Sequence, residues 1–265
     1  MKRTLTLITT LCLLLSLLAF GASAQKNHTI VTVTIAVKGE LVATQVSVPV
    51  EDIDGDGVFT INDALHCAHE QVYEGGADAG YGSYTSEYGL SMSKLWGDES
   101  GAYGYYLNNA SCMSLADPVK NGDYVTAFVY ASSDWSDVYT YFDVSAKTVE
   151  LGQEITLTLM AAGYDESWNP ITYPVEGATV TFAGNKTGFV TDAEGKVTIC
   201  PDTTGLHVYS ATHESMTLVP PVCSINVVKA EAEAPEEETG CKAIVGASLL
   251  ALLPLAYLCM KKREN

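Results

Sequence analysis

The stretch TIVTVTIAVKGELVATQVSVPV, residues 29–50, decides the first part of the fold. Apolar and polar residues alternate on both sides of Lys38-Gly39, a pattern typical of two antiparallel strands joined by a tight turn. Since successive side chains of a strand point to opposite faces, each strand would bury one face. The sequence therefore predicts a β-hairpin at the start of the first region.

A helix is predicted beyond the hairpin. Ala64, Leu65, Ala68 and Val72 recur at helical spacing, which indicates a helix over residues 62–73 with one buried face. The two glycines that follow would end it. Later strands are predicted at the segments YGYYLNN, DYVTAFVYA and YTYFDV, and the Gly/Tyr/Ser stretch over residues 74–89 is predicted as a loop.

Between hairpin and helix, the stretch EDIDGDGVFTINDAL has the ligand spacing of an EF-hand-type calcium loop over residues 52–63. Oxygen-bearing positions alternate along it, and Gly57 stands where such a loop turns sharply. Calcium takes about six to eight oxygen ligands, whereas clustered carboxylates without a cation repel one another. Ca²⁺ is therefore the predicted cofactor, with a solvated acidic turn as the alternative. The predicted ligands are Asp52, Asp54, Asp56, the Val58 carbonyl, Thr60 and Asp63.

The two ends of the chain predict export and anchoring. Residues 1–24 combine a basic start, an apolar run and Ala22-Ser23-Ala24, which is typical of a cleaved signal peptide. Residues 243–260 are apolar and precede a basic tail at 261–265, which predicts a single membrane span with a cytoplasmic C-terminus. Residues 229–240 form an acidic, Pro-containing linker. The membrane is therefore a predicted partner.

The charge of the chain excludes one class of partner. There are 32 acidic residues against 14 Lys and Arg, and the formal net charge is −18. Such a surface repels phosphate backbones, so that no nucleic-acid partner is expected.

The exported cysteines are disulfide candidates. Four cysteines allow three pairings. We expect the two local ones, Cys67–Cys112 and Cys200–Cys223, with one bridge in each region.

The second region, residues 145–228, reads as short strands separated by turn residues at regular intervals, which suits a β-sandwich. The segments VEGATVTFAG, TGFVTDAEGKVTI and GLHVYSA resemble bacterial Ig-like repeats of surface adhesins. The resemblance implies an Ig-like fold and a spacer or adhesive role.

The first region, residues 27–143, resembles the transcobalamin C-terminal-like family of bacterial surface proteins. The resemblance rests on the opening hairpin, NDALHCAHE, LWG, and YGYYLNN before a GDYV strand. It implies a β-grasp-like fold, and some members of the family bind cobalamin-type ligands. Trp96, Tyr105 and Tyr106 are candidates for an aromatic ligand pocket, with core packing as the alternative.

The segment from Asp52 to Tyr73 resembles the calcium loop of dockerin modules, which also end the loop with aspartate and lack an entering helix. The whole architecture resembles surface proteins of Gram-positive gut bacteria. This implies a location on the extracellular face of the cell membrane.

The candidate catalytic residues match no known catalytic pattern, so we expect that the protein is not an enzyme. His66, His69 and Glu70 lack the His-Glu-x-x-His order of a zinc protease, and the two histidines are expected to face solvent. Asp134 and Asp137 flank Trp135 and read as an exposed acidic loop, although paired carboxylates also serve glycoside hydrolysis.

Together these patterns predict a mainly β protein with one or two helices: a β-grasp-like α+β domain, an Ig-like sandwich and one C-terminal transmembrane helix. The predicted function is that of a membrane-anchored surface binding or adhesion protein with a small-molecule (cobalamin-like) or surface-glycan ligand. The alternatives are a structural surface protein without a soluble ligand and, third, a carbohydrate-active enzyme.

Overall fold

The computed structural model describes residues 29–230. The predicted signal peptide, span and basic tail, and the linker beyond residue 230, lie outside these residues. Within residues 29–230, no helix has the length and apolar character needed to cross a bilayer. The described chain is mainly β, with two helices.

The predicted hairpin is confirmed. Strands β1 (Thr29–Val37) and β2 (Glu40–Val50) pair antiparallel around Lys38 and Gly39, whose φ angles are 51° and 85°. This left-handed backbone lets a two-residue turn follow the twist of the strands.

The remaining strands of the first sheet are β5 (Tyr103–Leu107), β6 (Ala110–Ser111) and β7 (Tyr124–Val129). The sheet order is β2-β1-β7-β5-β6, and β1 and β7 run parallel at its centre.

Helix α1 (Ile61–Val72) confirms the predicted helix and packs across one face of this sheet. Ala64, Leu65 and Ala68 are buried as predicted, but Val72 is exposed because the helix ends there. The core beneath the helix is apolar. It includes Val31, Val33, Ile35, Val48, Ile61, Leu65, Leu95, Leu115, Val125 and Ala127.

The loop prediction for residues 74–89 is wrong. Helix α2 (Gly76–Gly80) is followed by the hairpin β3 (Tyr81–Ser86) and β4 (Gly89–Leu95). Tyr81 enters the core. The other residues of β3 are at least partly exposed, so the strand lacks the regular apolar alternation that would have predicted it.

The second region forms a sandwich of two five-stranded sheets. The strands are β8 (Val138–Phe142), β9 (Ala146–Glu150), β10 (Ile155–Tyr164), β11 (Pro170–Pro174), β12 (Thr179–Phe182), β13 (Asn185–Val190), β14 (Lys196–Ile199), β15 (Gly205–Thr212), β16 (Leu218–Val219) and β17 (Cys223–Val228). One sheet has the order β11-β10-β8-β16, with β14 also paired to β10, and the other has the order β13-β12-β15-β17-β9. The two sheets share a buried core of residues such as Leu157, Leu159, Val180, Ile199 and Ile225.

Strand β8 belongs to this sandwich, although the predicted domain bounds place all of it in the first region. It pairs with β10 and β16, and its Tyr139 joins Ala36, Phe128 and Val219 in a third apolar cluster. Because Ala36 and Phe128 come from the first sheet, this cluster ties the two regions together. The predicted bounds at 143 and 145 otherwise stay a prediction.

The predicted disulfides are corrected by the structure, in which Cys67, Cys112, Cys200 and Cys223 are free thiols. Cys200 is exposed just after β14, whereas Cys223 is buried in the facing sheet. The Cys67 sulfur accepts from the Glu51 N–H at 3.4 Å, and that of Cys112 donates to the Ala110 carbonyl at 3.5 Å. The short distance in sequence between the members of each expected pair therefore did not predict a disulfide bond.

Candidate metal centre

Three carboxylates converge in the loop between β2 and α1. One oxygen from each of Asp52, Asp54 and Asp56 lies within 4.8 Å of the other two. Two oxygens that bind one calcium ion at about 2.4 Å are at most about 5 Å apart. The separation of these carboxylates therefore suits ligands of a single ion.

Backbone N–H groups hold the loop in this shape. Asp52 accepts from Gly55 at 2.8 Å and from Gly57 at 2.9 Å, and Asp56 accepts from Val58 at 2.7 Å. Gly55 and Gly57 have φ angles of 76° and 88°, in the left-handed region that favours glycine. The two glycines thus let alternate aspartates point inward.

The electrostatics of the loop favour a cation. The N–H groups of Gly57 and Gly55 lower the pKa of Asp52, so that it is ionised at neutral pH. The pKa of Asp54 is raised: its bond from the Asp56 N–H lowers it, but partial desolvation and the charges of Asp56 and Asp63 outweigh that bond. Asp54 therefore loses its proton against repulsion, and a bound cation would remove that repulsion.

Asp63, the last predicted ligand, has a different role in the structure. It is 1% exposed, and one of its oxygens accepts from the N–H of Thr60 at 2.8 Å and from its hydroxyl at 2.7 Å. The Thr60 hydroxyl oxygen in turn accepts from the Asp63 N–H, which completes a capping box at the start of α1.

The second oxygen of Asp63 accepts from the Ile53 N–H at 3.2 Å. Asp63 thus fixes both the helix start and the first part of the loop, and it lies outside the group of three carboxylates. The structure brings Asp52, Asp54 and Asp56 together and engages Thr60 and Asp63 with each other. The side chain of Val58 is exposed.

The candidate aromatic pocket is not assembled by the structure. Trp96 and Tyr105 pack against the core beneath α1, whereas Tyr106 lies in the cluster between the two regions, its ring stacked on Tyr139 with centroids 3.6 Å apart. Tyr105 and Tyr106 are neighbours on β5 and therefore point to opposite faces of the sheet.

The expectation that His69 faces solvent is wrong. His69 is fully buried: its Nδ1 lies 2.7 Å from the Leu65 carbonyl oxygen, and its Nε2 accepts from the Trp96 N–H at 3.2 Å. Glu70 accepts from the N–H of Ala77 at 3.0 Å. These side chains join α1 to the segments that follow it. The only signal for this in the sequence was the position of His69 one residue after Ala68 on the buried face.

A polar cleft of about 490 Å³, which the sequence patterns did not reveal, lies between the first sheet and the sandwich. Gln45, at a φ of 47°, donates from its amide to the Tyr124 hydroxyl at 3.3 Å and to the Ser145 carbonyl at 2.8 Å. The hydrogen bond from Gln45 to Ser145 crosses the cleft and connects the two regions.

The predicted exposed loop around Trp135 is present. Asp137 accepts from the N–H groups of Ala131 and Ser132, and Asp134 accepts from Ser136. Both carboxylates thus stabilise this one loop through its own backbone N–H groups.

No family model and no curated protein matches this sequence. Among solved structures, the chain is similar to one described as Sidekick-1 immunoglobulin domains 1-4, with 14% identity and a TM-score of 0.22. The match covers 74% of this chain and 48% of that chain, so that this chain spans about half of that structure. The strand pairing described above, and not this similarity, defines the fold.

Proposed function

We propose that this protein is a membrane-anchored cell-surface binding or adhesion protein. In this proposal its first region is a β-grasp-like domain stabilised by calcium and its second region is an Ig-like sandwich. A structural surface protein without a soluble ligand is the alternative.

The strand order supports the β-grasp part of the proposal. A hairpin, a crossing helix and a late strand parallel to β1 produce the order β2-β1-β7-β5-β6. The two sheets that share one core support the sandwich part. Folds of both kinds present loops on a rigid frame, which suits binding proteins.

The observation that carries the calcium proposal is the convergence of three carboxylates within 4.8 Å. Asp52, Asp54 and Asp56 would hold the ion, and the Val58 carbonyl and Thr60 remain proposed ligands. Asp63 would stay in the capping box with Thr60 and fix the helix end of the loop. When bound, the ion would neutralise the loop and tie β2 to α1.

Calcium is expected to stabilise the full-length chain in neutral detergent. At free calcium ten times the dissociation constant, binding adds about 1.4 kcal/mol to the free energy of unfolding. For a chain of this size that raises the Tm by about 4 °C. Calorimetric scans with calcium and with chelator measure the difference, which Asp54→Ala should abolish.

Asp202→Ala is the matched control, because it removes an equal charge from an exposed loop of the sandwich. It should keep the calcium effect. Identical melting of the wild-type chain in calcium and in chelator would refute the proposed site.

The surface location is tested by adding protease to intact cells that produce the full chain with a C-terminal tag. The proposal expects loss of the exterior region and survival of a short tagged fragment. A chain without residues 1–24 should stay uncut until the cells are lysed. If the wild-type chain also stays uncut in intact cells, the proposed function fails.

A further inference from the structure

Two tryptophans stand exposed at loop tips. Trp135 is 64% exposed and Trp168 is 81% exposed. Both have left-handed backbones, with φ angles of 60° and 62°, which is costly for a bulky side chain. Large apolar rings held outward on strained backbones are typical of binding surfaces, where tryptophan contributes strongly to affinity.

The two loops lie at the same end of one sheet. Strands β8 and β10 are antiparallel, with Tyr139 opposite Ala162. The loop that precedes β8 and carries Trp135 is therefore beside the turn that follows β10 and carries Trp168. The two rings belong to one surface.

Two short series of aromatic rings, together called the aromatic run, extend inward from the two tryptophans. From one end, Trp135 lies 6.4 Å from Tyr130 between ring centroids, Tyr130 lies 5.0 Å from Phe128, and Phe128 lies 6.2 Å from Tyr106. From the other end, Trp168 lies 6.1 Å from Tyr164. Tyr106 and Tyr164, the inner ends of the two series, line the same cavity of about 330 Å³.

Carboxylates surround the exposed ends of the aromatic run. Asp134 and Asp137 flank Trp135, and Asp165 and Glu166 precede Trp168, with no lysine or arginine in either loop. Asp165 accepts from the Ser167 and Asn169 N–H groups, which fixes its carboxylate within the turn that carries Trp168. Side-chain bonds from Ser136 and Asn169 lower the pKa values of Asp134 and Asp165, so that both stay ionised.

We propose that the exposed ends of the aromatic run, Trp135 and Trp168 with the carboxylates beside them in sequence, bind an arginine-containing basic segment of a partner protein. A guanidinium group stacks flat on tryptophan and tyrosine rings and also pairs with carboxylates, and both kinds of group are present here. The carboxylates attract a cationic group and repel anionic glycans. The inference deepens the proposed function and rests on it, since the partner would meet the exported face.

The test is fluorescence anisotropy of labelled nona-arginine with the full-length chain in neutral detergent. Trp135→Ala and Trp168→Ala should each weaken binding about three- to fivefold, and the double variant by about tenfold or more. Trp168→Phe should lose less, because a ring remains. Glu166→Gln should weaken binding and reduce its salt dependence.

Tyr88→Ala is the matched control, because Tyr88 is 82% exposed but lies on the β3–β4 hairpin. It should bind as the wild type does, and nona-lysine should bind the wild type more weakly than nona-arginine. The inference is overturned if the double tryptophan variant binds nona-arginine as tightly as the wild type. It is also overturned if a neutral oligosaccharide binds the wild type and nona-arginine does not. The protease test on intact cells reports separately on the surface location.

Discussion

Asp63→Ala is expected to lower the free energy of unfolding by about 3 kcal/mol, even when calcium is absent. The change removes the Asp63 half of the capping box, whereas the Thr60 side chain can still cap the helix. The change also removes the acceptor for the Thr60 N–H and hydroxyl and for the Ile53 N–H. Buried donors that lose their partners cost about 1–3 kcal/mol each, less where water can reach them.

Urea unfolding in chelator, followed by circular dichroism, measures this loss without any contribution from calcium. Asp63→Asn keeps one oxygen acceptor and should lose about half as much. Asp54→Ala should change the stability by less than about 0.5 kcal/mol in chelator, because its side chain is exposed. A loss below about 1 kcal/mol for Asp63→Ala would mean that the capping box does not stabilise the helix start.

These variants separate two roles of the loop residues, namely binding of the ion and capping of the helix. The spacing of the aspartates is local, so the convergence of Asp52, Asp54 and Asp56 could be predicted from the sequence. The capping box is also local, since Thr60 and Asp63 are three residues apart. The ligand pattern nevertheless assigned Asp63 to the ion, whereas the structure engages both of its oxygens with the backbone and Thr60.

Local periodicity also predicted most of the strands. The alternation over residues 29–50 gave β1 and β2, and CSINVV gave β17. Periodicity did not predict which strands meet. Strand β1 is covered on both faces, because Thr34 and Ala36 are buried as well as Val33 and Ile35.

Strand pairs between distant segments of the sequence account for the features that were not predicted. Strand β16 pairs parallel with β8, about 80 residues apart in sequence, and β17 pairs parallel with β9. Such pairs depend on the whole topology, which no short segment encodes. The aromatic run likewise depends on contacts between distant segments of the sequence. Its rings come from both regions, and the sequence analysis identified only the acidic loop around Trp135.

The second large effect is expected at acid pH and arises from His69. Burial, reinforced by the neighbouring His66, lowers the pKa of His69 to about 4, although its bond to Leu65 opposes the shift. The unfolded chain binds a proton at His69 near pH 6.5, whereas the folded chain does not until about pH 4. Protonation therefore favours unfolding.

The stability that neutral His69 provides is complete above pH 6.5. It falls as the pH falls from 6.5 to 4 and changes no further below that range. A shift of this size corresponds to about 3 kcal/mol. A proton added to the ring would charge a fully buried group and remove the acceptor for the Trp96 N–H, which explains the size of the effect.

His69→Gln isolates this contribution, because an amide can donate to the Leu65 carbonyl and accept from Trp96 without titrating. All other titrating groups are common to both chains, so that they cancel when the two stabilities are subtracted. Urea unfolding at several pH values between 7 and 4 should show the advantage of the wild type shrinking by about 3 kcal/mol. A difference that stays constant over this range would mean that His69 takes up its proton equally in the folded and unfolded chains. In that case the burial of its ring between α1 and Trp96 could not make the fold sensitive to acid.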